Sequence, residues 1–259
     1  MAIITVNGVH LNIRCDGDRT RPAVVLSNSL GTDLSMWDAQ VAALATRFHV
    51  VRYDTRGHGA SSAPPGPYTI GQLGRDVLGL LDHLDIERAH FIGLSMGGVI
   101  GQWLGAHAPA RLHKLVLANT ASKIGTREGW EARAASVRAG GLAEIAAGSP
   151  GRWFTPGFVA RQPIIVGTMQ KTMRALDPEG YAACCEALAA ADLTEALRSI
   201  RASTLVIAGA EDPVTTVADA QTLAAAIDGA VTLTLPASHL SNVEAPDRFA
   251  DAVTSFLLA

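Results

Sequence analysis

The sequence predicts an α/β fold, a mostly parallel sheet flanked by helices with a helical cap inserted into it. Three observations predict it. Short β-branched or apolar runs alternate with helix-periodic segments through the first 121 residues and again after residue 187. From 122 to 186 helical segments follow one another without a convincing strand. One strand-like run, 88–92, passes through Gly93-Leu94-Ser95-Met96-Gly97 straight into a helical segment at 98–104, the strand, tight turn and helix order in which a GxSxG pattern has mechanical content. The expected domains are a core of 1–121 and 187–259 and a cap of 122–186.

Taken in order, Ala2–Val6 and 9–14 are alternating runs separated by Asn7-Gly8, a two-residue hairpin signal, so the chain opens with antiparallel strands at one sheet edge. Ala23–Ser27 and 48–53 are continuous apolar runs of the kind buried on both faces, with a helix around 36–45 between them. The segment 69–84 places Ile70, Leu73, Val77, Leu80, Leu81 and Leu84 on one helical face. The Ser95 turn and its helix follow, then a strand at Leu112–Ala118. The cap reads as helices at 127–139, 142–147, 157–176 and 178–188. Strands at 203–208 and 230–235 then resume the sheet, with helices at 216–227 and 245–258.

With 48% hydrophobic residues the chain has ample material for a core, and a net charge of -3 gives no global reason to expect nucleic acid or an anionic membrane surface as partner. The N-terminus has neither a charged region nor a long apolar stretch, and no later run stays apolar for a bilayer-spanning length, so the expectation is a soluble, cytoplasmic protein. The three cysteines, Cys15, Cys184 and Cys185, read as buried thiols. There is no CxxC or Cys/His cluster to suggest a metal, and no phosphate-cradling pattern to suggest a cofactor. The oligomeric state is not legible.

A serine hydroxyl is a poor nucleophile at neutral pH; it needs a base, and the base needs an orienting group. Ser95 sits at the tip of the glycine turn. The strand at 203–208 runs into Gly209-Ala210-Glu211-Asp212, and the strand at 230–235 into Pro236-Ala237-Ser238-His239. Sites in open α/β sheets gather outside the carboxyl ends of the strands, so Ser95, Asp212 and His239 fall on one edge. His239 is the expected base and Asp212 its orienting acid, preferred to the adjacent Glu211 because it lies further into the loop after the turn glycine. His58, between Gly57 and Gly59, reads as a structural hydrogen-bonder. Two N–H donors are needed for an oxyanion: Met96, at the start of a helix, is one, and Leu30, in the Asn28-Ser29-Leu30-Gly31 loop after the strand Ala23–Ser27, is the other. Gly97, Gly101 and Gly105 read as close helix packing, and Trp37 and Trp103 as core. Trp130 and Trp153, with Phe154, are open between lining a pocket and plain packing.

These residues resemble the α/β-hydrolase family along nearly the whole chain, and the order Ser, Asp, His is that family's order. More narrowly the chain is similar to the 3-oxoadipate enol-lactonases of the β-ketoadipate pathway of aromatic degradation. The resemblance rests on Ser27-Asn28-Ser29-Leu30-Gly31-Thr32, Arg52 through Ser61, Gly93 through Gly98, Ala118-Asn119-Thr120-Ala121-Ser122-Lys123-Ile124-Gly125, and Ser238-His239-Leu240-Ser241-Asn242. It implies the α/β-hydrolase fold and cofactor-free, metal-free hydrolysis of a small anionic enol-lactone to 3-oxoadipate. An anionic substrate wants a local cation, and the cap offers Lys123, Arg127, Arg133, Arg138, Arg152, Lys171 and Arg174. Arg133, one helical turn from Trp130, is the expected substrate-binding residue together with that tryptophan. A small-ester carboxylesterase or a perhydrolase would use the same triad, and a ligand-binding receptor could keep the same fold.

Overall fold

The structure, a computed structural model, describes residues 2–259; Met1, counted in the expected core, lies outside the described residues. In chain order its strands are β1 (Ala2–Val6), β2 (Val9–Asp16), β3 (Ala23–Ser27), β4 (His49–Tyr53), β5 (Ala89–Leu94), β6 (Leu112–Ala118), β7 (Ser203–Gly209) and β8 (Val231–Leu235). They form one sheet in the order β1-β2-β4-β3-β5-β6-β7-β8, antiparallel for β1, β2 and β4 and parallel from there on. The Asn7-Gly8 hairpin forms as expected, with Val6 opposite Val9 and both turn residues at positive φ. Every residue of β3, β4 and β5 is buried, which is why those runs carry no polar alternation.

Helices α1 (Asp38–Ala45), α2 (Ile70–His83) and α3 (Met96–His107) interleave with the central strands, and α2 packs against α3. α2 buries Ile70, Leu73, Val77, Leu80 and Leu81, and Thr69 caps it by accepting the Gln72 N–H. The cap contains α4 (Arg127–Gly140), α5 (Ala143–Ala147), α6 (Pro150–Trp153), α7 (Pro156–Arg161), α8 (Pro163–Arg174) and α9 (Pro178–Ala190). The single helix expected over 157–176 is two helices. Pro163 disfavours helical backbone at Gln162, which adopts φ -126° and ψ 50° and ends α7. The short α6 was not foreseen. After β7 come α10 (Val217–Ala226), α11 (Ser241–Glu244) and α12 (Pro246–Leu258), the last packed on α1.

The ends of the insertion meet where the Leu193 N–H donates to Ser122 O at 3.0 Å and the Ser122 and Thr194 hydroxyls lie 3.0 Å apart. A boundary at 186 falls inside α9. Cys184 and Cys185 are buried, but Cys15, expected to be so, is exposed, because the last turn of β2 extends past its buried stretch. Trp37 is fully buried, while Trp103 is half-buried against the core and stacked on His107. No helix among the described residues is long and apolar enough to cross a membrane.

Candidate active site

Ser95 stands between β5 and α3 with φ 57° and ψ -115°, a backbone conformation that a non-glycine residue adopts only when its surroundings enforce it. Its N–H donates to Ala118 O at 2.9 Å, and its own carbonyl accepts the Thr120 hydroxyl at 2.8 Å. The flanking glycines are required by close approach rather than by torsion. A Cβ on Gly93 would lie 2.1 Å from Gly97 O, and one on Gly97 would lie 2.2 Å from Ser27 O.

The loop after β3 is stitched to its surroundings by Asn28. Its Nδ2 donates to Tyr53 O at 2.9 Å, its Oδ1 accepts Trp37 Nε1–H at 2.9 Å, and its carbonyl accepts the Gly97 N–H at 3.0 Å. That last bond ties the Leu30 loop to the Ser95 turn. Among the described residues, neither the Leu30 N–H nor the Met96 N–H donates to a protein acceptor, and Met96 opens a twelve-residue helix. Two free donors beside the serine, one at the positive end of a helix dipole, suit a developing oxyanion. His58 is structural: its Nε2 accepts the Gly31 N–H at 2.9 Å, and burial holds its pKa down to about 4.

Beyond β7 and β8 the structure brings Asp212 and His239 together, with His239 Nδ1 2.8 Å from Asp212 Oδ2 and both residues buried. Glu211 is exposed. The Asp212 Oδ1 accepts the Val214 and Thr215 N–H groups at 2.8 and 3.1 Å, and Oδ2 accepts Thr215 Oγ1 and Asn119 Nδ2 at 2.9 and 3.0 Å. Burial pushes this carboxyl up, but the hydrogen bond and charge of His239, with the Asn119 and Thr215 donors, outweigh it and hold the pKa below the ordinary value. A carboxylate kept ionised, on the imidazole nitrogen away from the serine, can stabilise an imidazolium.

Ser95, His239 and Leu30 line a cavity of about 290 Å³ roofed by the cap, whose other walls include Trp130, Arg133, Arg152, Trp153 and Tyr181. The Arg133 guanidinium lies over the Trp130 ring, 4.8 Å from its centroid, and shares the cavity wall with Tyr181. The Trp130 indole N–H is spent on Ile124 O. Trp153 both packs in the core and lines the cavity, whereas Phe154 packs on Phe158 and does not reach it.

Of the seven cap cations, Lys123, Arg127 and Arg138 are committed to carboxylates, Asp192, Glu131 and the Glu179/Glu186 pair respectively. Arg133 and Arg152 have no carboxylate partner among the described residues and both face the cavity. Burial, and then the Arg133 charge, lower the Arg152 pKa. Arg152 is indistinguishable in sequence from the other cap cations, because its place in the cavity depends on the short helix α6 that begins at Pro150. Among the described residues no group of three or more His, Cys, Asp and Glu side chains is arranged to hold a metal ion.

The family model described as "Alpha/beta hydrolase family" matches residues 24–252. The chain is 52% identical to the 3-oxoadipate enol-lactonase 2 of Acinetobacter baylyi over 98% of its own length and 95% of that protein, and 45% identical to the 3-oxoadipate enol-lactonase 1 of the same organism over 96% and 94%. It superposes on the crystal structure of the enol-lactonase from Burkholderia xenovorans LB400 with a TM-score of 0.98, at 48% identity and full coverage of both chains. The sheet order, the serine turn and these matches agree, and the chain belongs to the alpha/beta hydrolase family.

Proposed function

We propose that the protein is a cofactor-independent serine hydrolase that opens 3-oxoadipate enol-lactone to 3-oxoadipate. The observation that carries the substrate class is the pair Arg133 and Arg152, cations without carboxylate partners in the same small cavity as Ser95 and His239. Two unneutralised guanidinium groups beside a nucleophile favour a substrate that brings its own negative charge, and the lactone carries one free carboxylate. The likeness to two enol-lactonases over nearly the whole chain supports the same reading.

In this mechanism Ser95 Oγ attacks the lactone carbonyl carbon while its proton passes to His239 Nε2. Asp212 holds the imidazole by Nδ1 and stabilises the cation. The carbonyl oxygen becomes an oxyanion held by the Leu30 and Met96 N–H groups. Collapse breaks the ring C–O bond, and the departing enol oxygen takes the proton from His239; the enol then tautomerises to the ketone. Because the leaving group is part of the ring, it stays attached to the acyl chain on Ser95. Water, deprotonated by His239, attacks the ester carbon, and Ser95 leaves with the proton. The acid chain of the substrate lies against Arg133, Arg152 and the Trp130 face. The reaction needs no metal, and a cytoplasmic setting is part of the reading, since free thiols suit a reducing compartment.

The test is steady-state hydrolysis of freshly made enol-lactone, followed by loss of its ultraviolet absorbance, beside a short-chain aryl ester, with Ser95→Ala as control. A Ser95-dependent kcat/KM for the lactone that is orders of magnitude above the ester is expected. Comparable rates on the ester would move the assignment to a general esterase.

A further inference from the structure

We propose that Asn119 is a positioning residue for the acid–base pair, holding Asp212 and the His239 loop in register through one side-chain amide. The inference rests on the triad roles proposed above.

Asn119 follows β6 and is buried, with φ 44°, in the left-handed region that asparagine enters more readily than other side chains. Its backbone N–H is fixed on Ile207 O of β7 at 2.8 Å. The side-chain Nδ2 donates to Asp212 Oδ2 at 3.0 Å and to Ser238 O, the carbonyl just before His239, at 3.2 Å. Its Oδ1 accepts the Ser241 hydroxyl, two residues beyond His239, at 2.6 Å. A carboxylate and a carbonyl can only accept, so chemistry fixes which end of the amide is nitrogen. One side chain therefore touches the acid and brackets the base from both sides in sequence. The next residue, Thr120, holds the Ser95 carbonyl.

A buried amide satisfying its own hydrogen bonds would need none of this convergence. Without Asn119 the Asp212 carboxylate already has four donors, Val214 N–H, Thr215 N–H, Thr215 Oγ1–H and His239 Nδ1–H, which matches its roughly four lone-pair sites. Asn119 is a fifth, aimed at the same Oδ2 that faces the imidazole. It restrains that oxygen and draws off part of its charge, limiting how strongly the carboxylate holds the imidazolium.

The test is Asn119→Gly, which removes the amide without straining a positive-φ backbone. Its kcat is expected to fall ~10- to 100-fold, the scale of a slightly misplaced catalytic group, with KM little changed. The acid limb of kcat/KM is expected to move to higher pH by roughly half a unit or more, because an Asp212 oxygen relieved of a competing donor stabilises the imidazolium more. Asn119→Ala removes the same amide at a modest cost in left-handed backbone strain; it should move the limb in the same direction and serves if the glycine variant does not fold. A folded variant with wild-type kcat and an unmoved limb, or a loss confined to the Tm, overturns the proposal. Both the lactone and a neutral aryl ester are assayed beside Ser95→Ala. Activity surviving in Ser95→Ala sinks the triad itself, whereas an inactive Ser95→Ala with a wild-type Asn119→Gly sinks only the role of Asn119.

Discussion

Truncating the cavity arginines asks directly whether the protein reads a carboxylate. The Arg133 head group is placed by its contact with the Trp130 face rather than by an acidic partner, so Arg133→Ala leaves no carboxylate unpaired. A hydrogen bond to a charged group contributes about 1.5–3 kcal/mol, and the half-exposed setting of this one favours the lower end. About 1.5 kcal/mol corresponds to about tenfold in kcat/KM for the anionic lactone, taken mainly through KM. Arg152→Ala is expected to lose a similar amount, and the double variant less than the product of the two, because the guanidinium groups act on each other and on one carboxylate. Rising ionic strength should weaken the wild-type advantage for the lactone. The assay is kcat and KM for the lactone and for a neutral aryl ester across the three variants. Equal losses on both substrates would show that the arginines hold the cap together rather than the substrate, and no loss on the lactone would refute the carboxylate assignment outright.

Ser95→Ala and His239→Ala should each cost several orders of magnitude in kcat, and the double variant little more, because the groups act as one unit. Asp212→Asn should cost about 10⁴-fold, the scale known for a neutralised triad carboxylate; wild-type kcat there would mean another acid orients His239. His58 gives a stability prediction. Buried and accepting the Gly31 N–H, it takes a proton only near pH 4, whereas the unfolded chain takes one near 6.5. Its contribution is therefore complete above pH 6.5 and is lost as pH falls toward 4, by roughly 3 kcal/mol. Urea unfolding at pH 7 and pH 5 of wild type and His58→Gln checks this: the variant should show a shallower loss on acidification, His90, also held near 4, contributing to both proteins alike. Gly97→Ala should yield little folded protein, since its Cβ would meet the backbone of Ser27; an active, stable variant would contradict the close approach.

The core was legible because its signals are local. Fully buried parallel strands need unbroken apolar runs, which Ala23–Ser27 supplies, and the αL positions of a two-residue hairpin need Asn7-Gly8. The serine turn was legible because its backbone tolerates only glycine at positions 93 and 97, and the juxtaposition of Asp212 and His239 because loops after β7 and β8 must open on the same edge. The cap was less legible. Its helices pack on one another, so periodicity does not say where a chain breaks, and the split at Gln162-Pro163 was read through despite the proline. Arg138 and Arg133 look alike in sequence; only the folded chain shows that Glu179 and Glu186 occupy the first and leave the second to the cavity. The Asn119-Thr120-Ala121 segment carries no local pattern that announces chemistry; its hydrogen bonds to Asp212 and Ser95, made only in the folded chain, give those residues their place.

The cap and the chemistry are also joined through backbone. The Leu240 N–H, one residue past His239, donates to Trp153 O at 3.0 Å, and Trp153 lines the cavity. Glu244 accepts the Ser238 N–H at 2.9 Å and the Thr155 N–H at 3.2 Å, with the Thr155 hydroxyl on its other oxygen. One carboxylate thus spans from Ser238, the residue before His239, to Thr155, the residue that caps α7. A displacement of the α6–α7 corner must either break these bonds or carry the His239 loop with it. With His239 as the proposed base, changes at the Trp153–Thr155 corner are expected to reach kcat as well as KM, while changes confined to the Arg133 head group are expected to act mainly through KM; a kcat unchanged in a Glu244→Gln variant would refute the coupling.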